Sequence, residues 1–137
     1  MPEELPPPIA IAMVICDAIW VDPSTGKITL LGVFSDIASK IFPAIHPLLA
    51  VHVCLTDAHG TIPVKMQLID ADEENDPLFE VEHEIEFPDR RAIIFMNAHM
   101  KDIAFPNPGE YRLQLFARNQ FVIERRIVVK TIEMPHD

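Results

Sequence analysis

Apolar and polar positions alternate with a period of two along much of this chain. In the run Phe79-Glu80-Val81-Glu82-His83-Glu84-Ile85-Glu86-Phe87, five residues share one face and four glutamates share the other. A helix would scatter those glutamates around its circumference, so the run predicts a strand with one buried face. Val64, Met66 and Leu68 alternate with Lys65 and Gln67, and Tyr111, Leu113 and Leu115 alternate with Arg112 and Gln114. Beyond the break Arg118-Asn119-Gln120, the segment Phe121 to Lys130 reads as the second arm of a hairpin. Two early segments, Ile9 to Val21 and Ile28 to Phe34, are more continuously apolar. The first is expected to be a central strand with both faces covered.

Proline punctuates these segments. Pro23, Pro43, Pro47, Pro63, Pro77, Pro88, Pro106 and Pro108 fall between the apolar runs or at their edges, as expected of a residue that helix interiors and central strands exclude. Asp22-Pro23-Ser24-Thr25-Gly26-Lys27 is a turn with a mechanism: Pro23 presets φ, Asp22 bonds the backbone ahead, and Gly26 accepts positive φ. Asp57-Ala58-His59-Gly60 separates Leu48 to Thr56 from Ile62 to Asp70, and Arg91 to His99 adds another strand. Eight strands and no helix predict an all-β fold, an antiparallel β-sandwich of immunoglobulin-like or similar type, with a small β-barrel as the alternative. Residues 9–132 form one domain, between a proline-rich tail at 1–8, expected in polyproline II form, and a short tail at 133–137.

Charge changes the picture in one place. The 137 residues hold 11 Lys and Arg against 21 Asp and Glu, a net charge of −10. Such a balance argues against a nucleic-acid binder and against docking on anionic lipid, both of which need surplus cations. Nine of the acids lie between Asp70 and Glu86 with no cation among them, which leaves twelve acids against eleven bases elsewhere. Three meanings are open for this patch. The strand carrying Glu80, Glu82, Glu84 and Glu86 is a solvated edge protected by its charge, or it docks a basic protein partner. The loop Asp70, Asp72, Glu74 and Asp76 has the alternating spacing of a calcium site, although Asn75 and Val81 stand where an EF-hand places its glycine and its bidentate glutamate.

Motifs for chemistry are missing. None of His46, His52, His59, His83, His99 and His136 sits at metal-binding or catalytic spacing, and there is no nucleophile elbow, phosphate loop or Cys-x-x-Cys pair. No catalytic residue and no cofactor is expected. A lone strand histidine is usually packed and hydrogen-bonded, and His46-Pro47 reads as a structural loop. Asp17 is the one acid within a strongly apolar segment. The strand is expected to end or bulge there, with Asp17 bonding a turn, and a functional carboxylate is the alternative. Trp20 reads as core, and Arg125-Arg126 places one arginine on each face of its strand. Cys16 and Cys54 fit buried, reduced thiols, and the acidic start of the chain does not fit a secretory signal, so a cytoplasmic location is expected.

The combination Ile15-Cys16-Asp17, Asp22, Thr25-Gly26-Lys27, Leu31-Gly32-Val33-Phe34, Phe42-Pro43, His46-Pro47, Phe105-Pro106 and Pro108-Gly109-Glu110-Tyr111 resembles a family of small bacterial one-domain proteins of unknown function. The resemblance spans about Ala10 to Val129 and implies a β-sandwich without implying an activity or site residues. The expected function is therefore a non-catalytic interaction or assembly module, binding an unidentified protein or itself through the acidic strand, end loops or open edges. The alternative is a small-ligand- or calcium-binding domain. Convergence of Asp17, Trp20, His46 and His52 on one pocket would favour a ligand or an enzymatic role.

Overall fold

The computed structural model describes residues 6–71 and 76–132. Among these residues nine strands are formed: β1 (Ile9–Val21), β2 (Ile28–Val33), β3 (Asp36–Ser39), β4 (Ala44–Thr56), β5 (Gly60–Asp70), β6 (Phe79–Phe87), β7 (Ile94–Phe105), β8 (Gly109–Ala117) and β9 (Gln120–Thr131). They make two sheets, ordered β2-β1-β4-β7 and β3-β9-β8-β5-β6. All pairings are antiparallel except β3 with β9. The predicted all-β sandwich is thus observed, with one strand more than the alternation revealed. β3 has only four residues, too few to show a period. It forms because β9 offers it a ladder, opened by Val128 N–H to Ser35 O and closed by Ile132 N–H to Ser39 O.

The core lies between the sheets. Met13, Ile15, Val51, Val53, Leu55, Met100 and Phe105 from the first sheet meet Ile62, Val64, Met66, Leu68, Phe87, Leu113, Leu115, Ile127 and Val129 from the second. Each such side chain contributes roughly 1.5–3 kcal/mol by leaving water. Tyr111 is buried beside Phe105, ring centroids 4.9 Å apart, and its hydroxyl donates to Asn107 O at 2.6 Å. This bond back to the upstream backbone gives Pro108-Gly109-Glu110-Tyr111 its physical role: it pins the corner before β8. The β8–β9 hairpin turns through Arg118 and Asn119, both at positive φ, the type I′ geometry that suits twisted strands.

Several expectations are corrected. Pro47 and Pro63 lie inside strands, not between them. Pro63 sits where β8 has already turned away from β5, and its carbonyl accepts from Arg118 N–H. Pro47 sits where β1 has left β4, opposite Asp102, whose φ of 53° marks a local break in β7. His46 is therefore a strand residue. The strand expected at Arg91 to His99 runs instead from Ile94 to Phe105. β1 is central, flanked by β2 and β4, but only its inward row is covered by the opposite sheet. Among the described residues no helix is long and apolar enough to cross a membrane.

Candidate functional site

The outward rows of the two sheets differ in kind. On the five-stranded sheet they are mostly polar, with Ile69 and the edge-to-face pair Phe116 and Phe121 among the apolar exceptions. Gln67 donates to Gln114, Gln114 donates to Glu124, and Arg112 and Arg126 both reach Glu110, at 3.1 and 2.8 Å. On the four-stranded sheet, the register places Ala12, Val14, Cys16, Ala18 and Trp20 of β1 beside Thr29, Leu31 and Val33 of β2. On the other side stand Leu48, Ala50, His52 and Cys54 of β4, then Phe95, Asn97, His99 and Lys101 of β7. Lys101 is the only one of these with a formal charge.

This face has relief. Cys16, Ala50 and Cys54 take the outward row, outside the core cluster, and are nonetheless covered. The middle strands thus carry small, covered side chains. On one side rises a ridge of Leu31, Val33 and Trp20; Val33 is 62% exposed and Trp20 52%. On the other side Phe95 leads into the polar rim of Asn97, His99 and Lys101. Trp20 is not core as expected, because it takes the outward row at the hairpin end. His52 is packed as expected, its Nδ1 2.8 Å from Asn97 Oδ1 and its ring against Phe95.

A second feature arises where β1 and β4 part. They pair from Ile9 with Thr56 to Cys16 with Ala50, and not beyond. Asp17 and His46 project into the opening, a cleft of about 350 Å³ also lined by Gly32, Phe34 and Asp36. β1 neither ends nor bulges at Asp17, and among the described residues Asp17 bonds no turn. Its carboxylate lies over Gly32, where a Cβ would come within 2.5 Å of Oδ2. His46 Nε2 is buried without a hydrogen-bond partner, 3.8 Å from Asp17 Oδ1, and its ring packs on Phe34 at 5.1 Å. Asp36 is held by Lys130 at 2.9 Å. An imidazole and a carboxylate so spaced can hold a small polar group between them. Trp20 and His52 face the other side of the sheet, so the four candidate residues do not converge.

The acidic strand β6 is an edge strand, and Glu80, Glu82, Glu84 and Glu86 are exposed on its outward row. Glu80 meets Lys65 at 3.3 Å. Of the candidate calcium ligands, Asp70 and Asp76 flank the connection to β6, while Asp72 and Glu74 lie outside the described residues. Among the described residues no group of three or more His, Cys, Asp or Glu side chains could hold a metal ion. Cys16 and Cys54 are both free and lie apart in the β1–β4 register, opposite Ala50 and Ala12. Burial pushes both thiols up.

The model of a family of unknown function, DUF6941, matches residues 11–130. The chain belongs to this family. The match reaches into all nine strands, so the family is defined by the whole sandwich, and both β1–β2 features fall inside it. No curated protein matches the chain. The family assigns no activity, and the site rests on geometry. Sequence reasoning missed the outward face even though its signal was present. The unbroken apolar run of β1 meant two apolar faces, and only one of them is covered by the opposite sheet.

Proposed function

We propose that this member of DUF6941 is a non-catalytic binding module that docks another protein chain on the outer face of β2-β1-β4-β7, in the cytoplasm. One observation carries the reading: that face presents an apolar ridge beside small covered side chains, with charge confined to Lys101 and Asp102 at the β7 rim, while the other outer face is mainly charged and amide side chains, with Phe116 and Phe121 at its hairpin end. Apolar surface gathered in one patch is the usual mark of a binding surface. The two free, buried thiols support a reducing compartment. The acidic edge serves to keep β6 from pairing with other strands. A photo-crosslinking side chain at position 33, compared with one at position 84, tests the proposal in extract of the native host. Crosslinks to protein are expected from 33 and not from 84. Equal crosslinking, or none from 33, refutes it.

The Asp17–His46 cleft favours a second reading, a small polar ligand held between the two side chains, because a buried unpartnered imidazole nitrogen invites a partner. Thermal-shift comparison of wild type with His46→Gln against small polar compounds tests it. A stabilising compound whose effect vanishes in the variant supports it, and no such compound sinks it.

A further inference from the structure

We infer that the chain covering this outer face is a second copy of the same protein, packed face to face about a twofold axis. The inference rests on the proposed use of the face for binding and adds the identity of the occupant.

Shape is the first argument. The ridge of Leu31, Val33 and Trp20 stands to one side of a flat centre in which Cys16 and Ala50 are fully covered. A twofold axis near that centre lays the ridge of each copy against the flat middle of the other, so one surface supplies both halves of the contact. Area is the second. Leu31, Val33, Trp20, Leu48 and Phe95, each about half exposed, together offer on the order of 500 Å² of apolar surface. A standard interface takes about 800 Å² from each partner, an apolar centre inside a polar rim. Asn97, His99 and Lys101 on β7 supply that rim. Charge is the third. Two copies carrying −10 each would repel if the acids lay on the contact, but among the described residues the one acid on this sheet's outward side is Asp102, at the β7 rim next to Lys101. The row of four glutamates belongs to β6 of the other sheet.

Sedimentation of the full chain from about 1 μM to about 100 μM, the range in which weak standard-size interfaces form, tests the inference. Twice the monomer mass is expected, unchanged at high salt because the contact is apolar. Leu31→Asp and Val33→Asp lie on the exposed row of an edge strand, so the fold survives them; each is expected to weaken dimerisation at least tenfold. Glu84→Gln is expected to leave it unchanged. Trp20 emission gives a readout that needs no variant: dilution of the wild type should shift it to the red as the indole returns to water. A monomer throughout the range overturns the inference. If residue 33 then crosslinks to a different protein, the binding proposal stands and only the occupant is wrong; if it crosslinks to nothing, both fail. A dimer that withstands both aspartates uses another surface, which also overturns the inference.

Discussion

Gly32 is held by two constraints. Its φ of +69° lies in the left-handed region, and the Asp17 carboxylate occupies the space a Cβ would need. The first constraint is rigid, and the second is soft because the Asp17 side chain is 62% exposed and free to swing. Gly32→Ala should therefore cost about 1–2 kcal/mol, mainly through the backbone, and Asp17→Ala added to it should restore little. Urea denaturation of the single and double variants checks this; full rescue by Asp17→Ala would show that the carboxylate contact governs. Tyr111 gives a cleaner case, since its ring is core and its hydroxyl serves one loop. Tyr111→Phe keeps the packing against Phe105 and loses both the bond donated to Asn107 O and the one accepted from Asn107 N–H, for a loss of about 1 kcal/mol in the same assay.

At the scale of elements, the β1–β2 hairpin carries both features of the molecule, and its turn is tuned by one carboxylate. Asp22 accepts from Ser24 N–H and Ser24 Oγ–H, both at 2.9 Å, and these bonds hold its carboxyl below the usual aspartate range. A depressed carboxylate contributes stability above its unfolded value, and that contribution is lost as pH falls through the folded value. The wild type should therefore lose more stability than Asp22→Asn on acidification from the ordinary aspartate range downward, while the two run parallel near neutrality. Melting midpoints against pH test this, and parallel curves throughout would remove Asp22 from the account. The turn was legible because Asp22, Pro23 and Gly26 each have a local reason to be there. β3 was not, because four residues carry no period and its partner residues in β9 lie 92 positions away. Pro47 and Pro63 misled for a related reason: proline is excluded from a strand only where a neighbour needs its N–H, and the sequence does not show which neighbours have turned away.

For the whole molecule, alternation fixes which residues share a face and leaves open what covers that face. The inward rows, such as Val64-Met66-Leu68 and Tyr111-Leu113-Leu115, were legible because polar residues lie between them. In β1 nothing polar intervenes before Asp17, so the same rule could not tell a covered face from an open one. The net charge was legible as a local feature, and the fold makes its consequence calculable. Successive glutamates on one face of β6 stand about 7 Å apart, within the screening length of about 10 Å at 0.1 M salt. Glu80 is partly neutralised by Lys65, while Glu84 and Glu86 lie opposite Pro63 and Thr61, which bring no charge. The row therefore repels itself, and added salt should relieve the repulsion. Sodium chloride raised from low concentration to about 0.5 M is expected to lift the melting midpoint by a few degrees. Changing Glu80, Glu82, Glu84 and Glu86 together to Gln should raise the low-salt midpoint and flatten the response, at the expense of solubility as the β6 edge loses its charge. A wild type indifferent to salt would show that these acids are already balanced. The two outer faces should also respond independently: the four-glutamine variant keeps the dimer and loses the salt response, whereas Val33→Asp loses the dimer and keeps it.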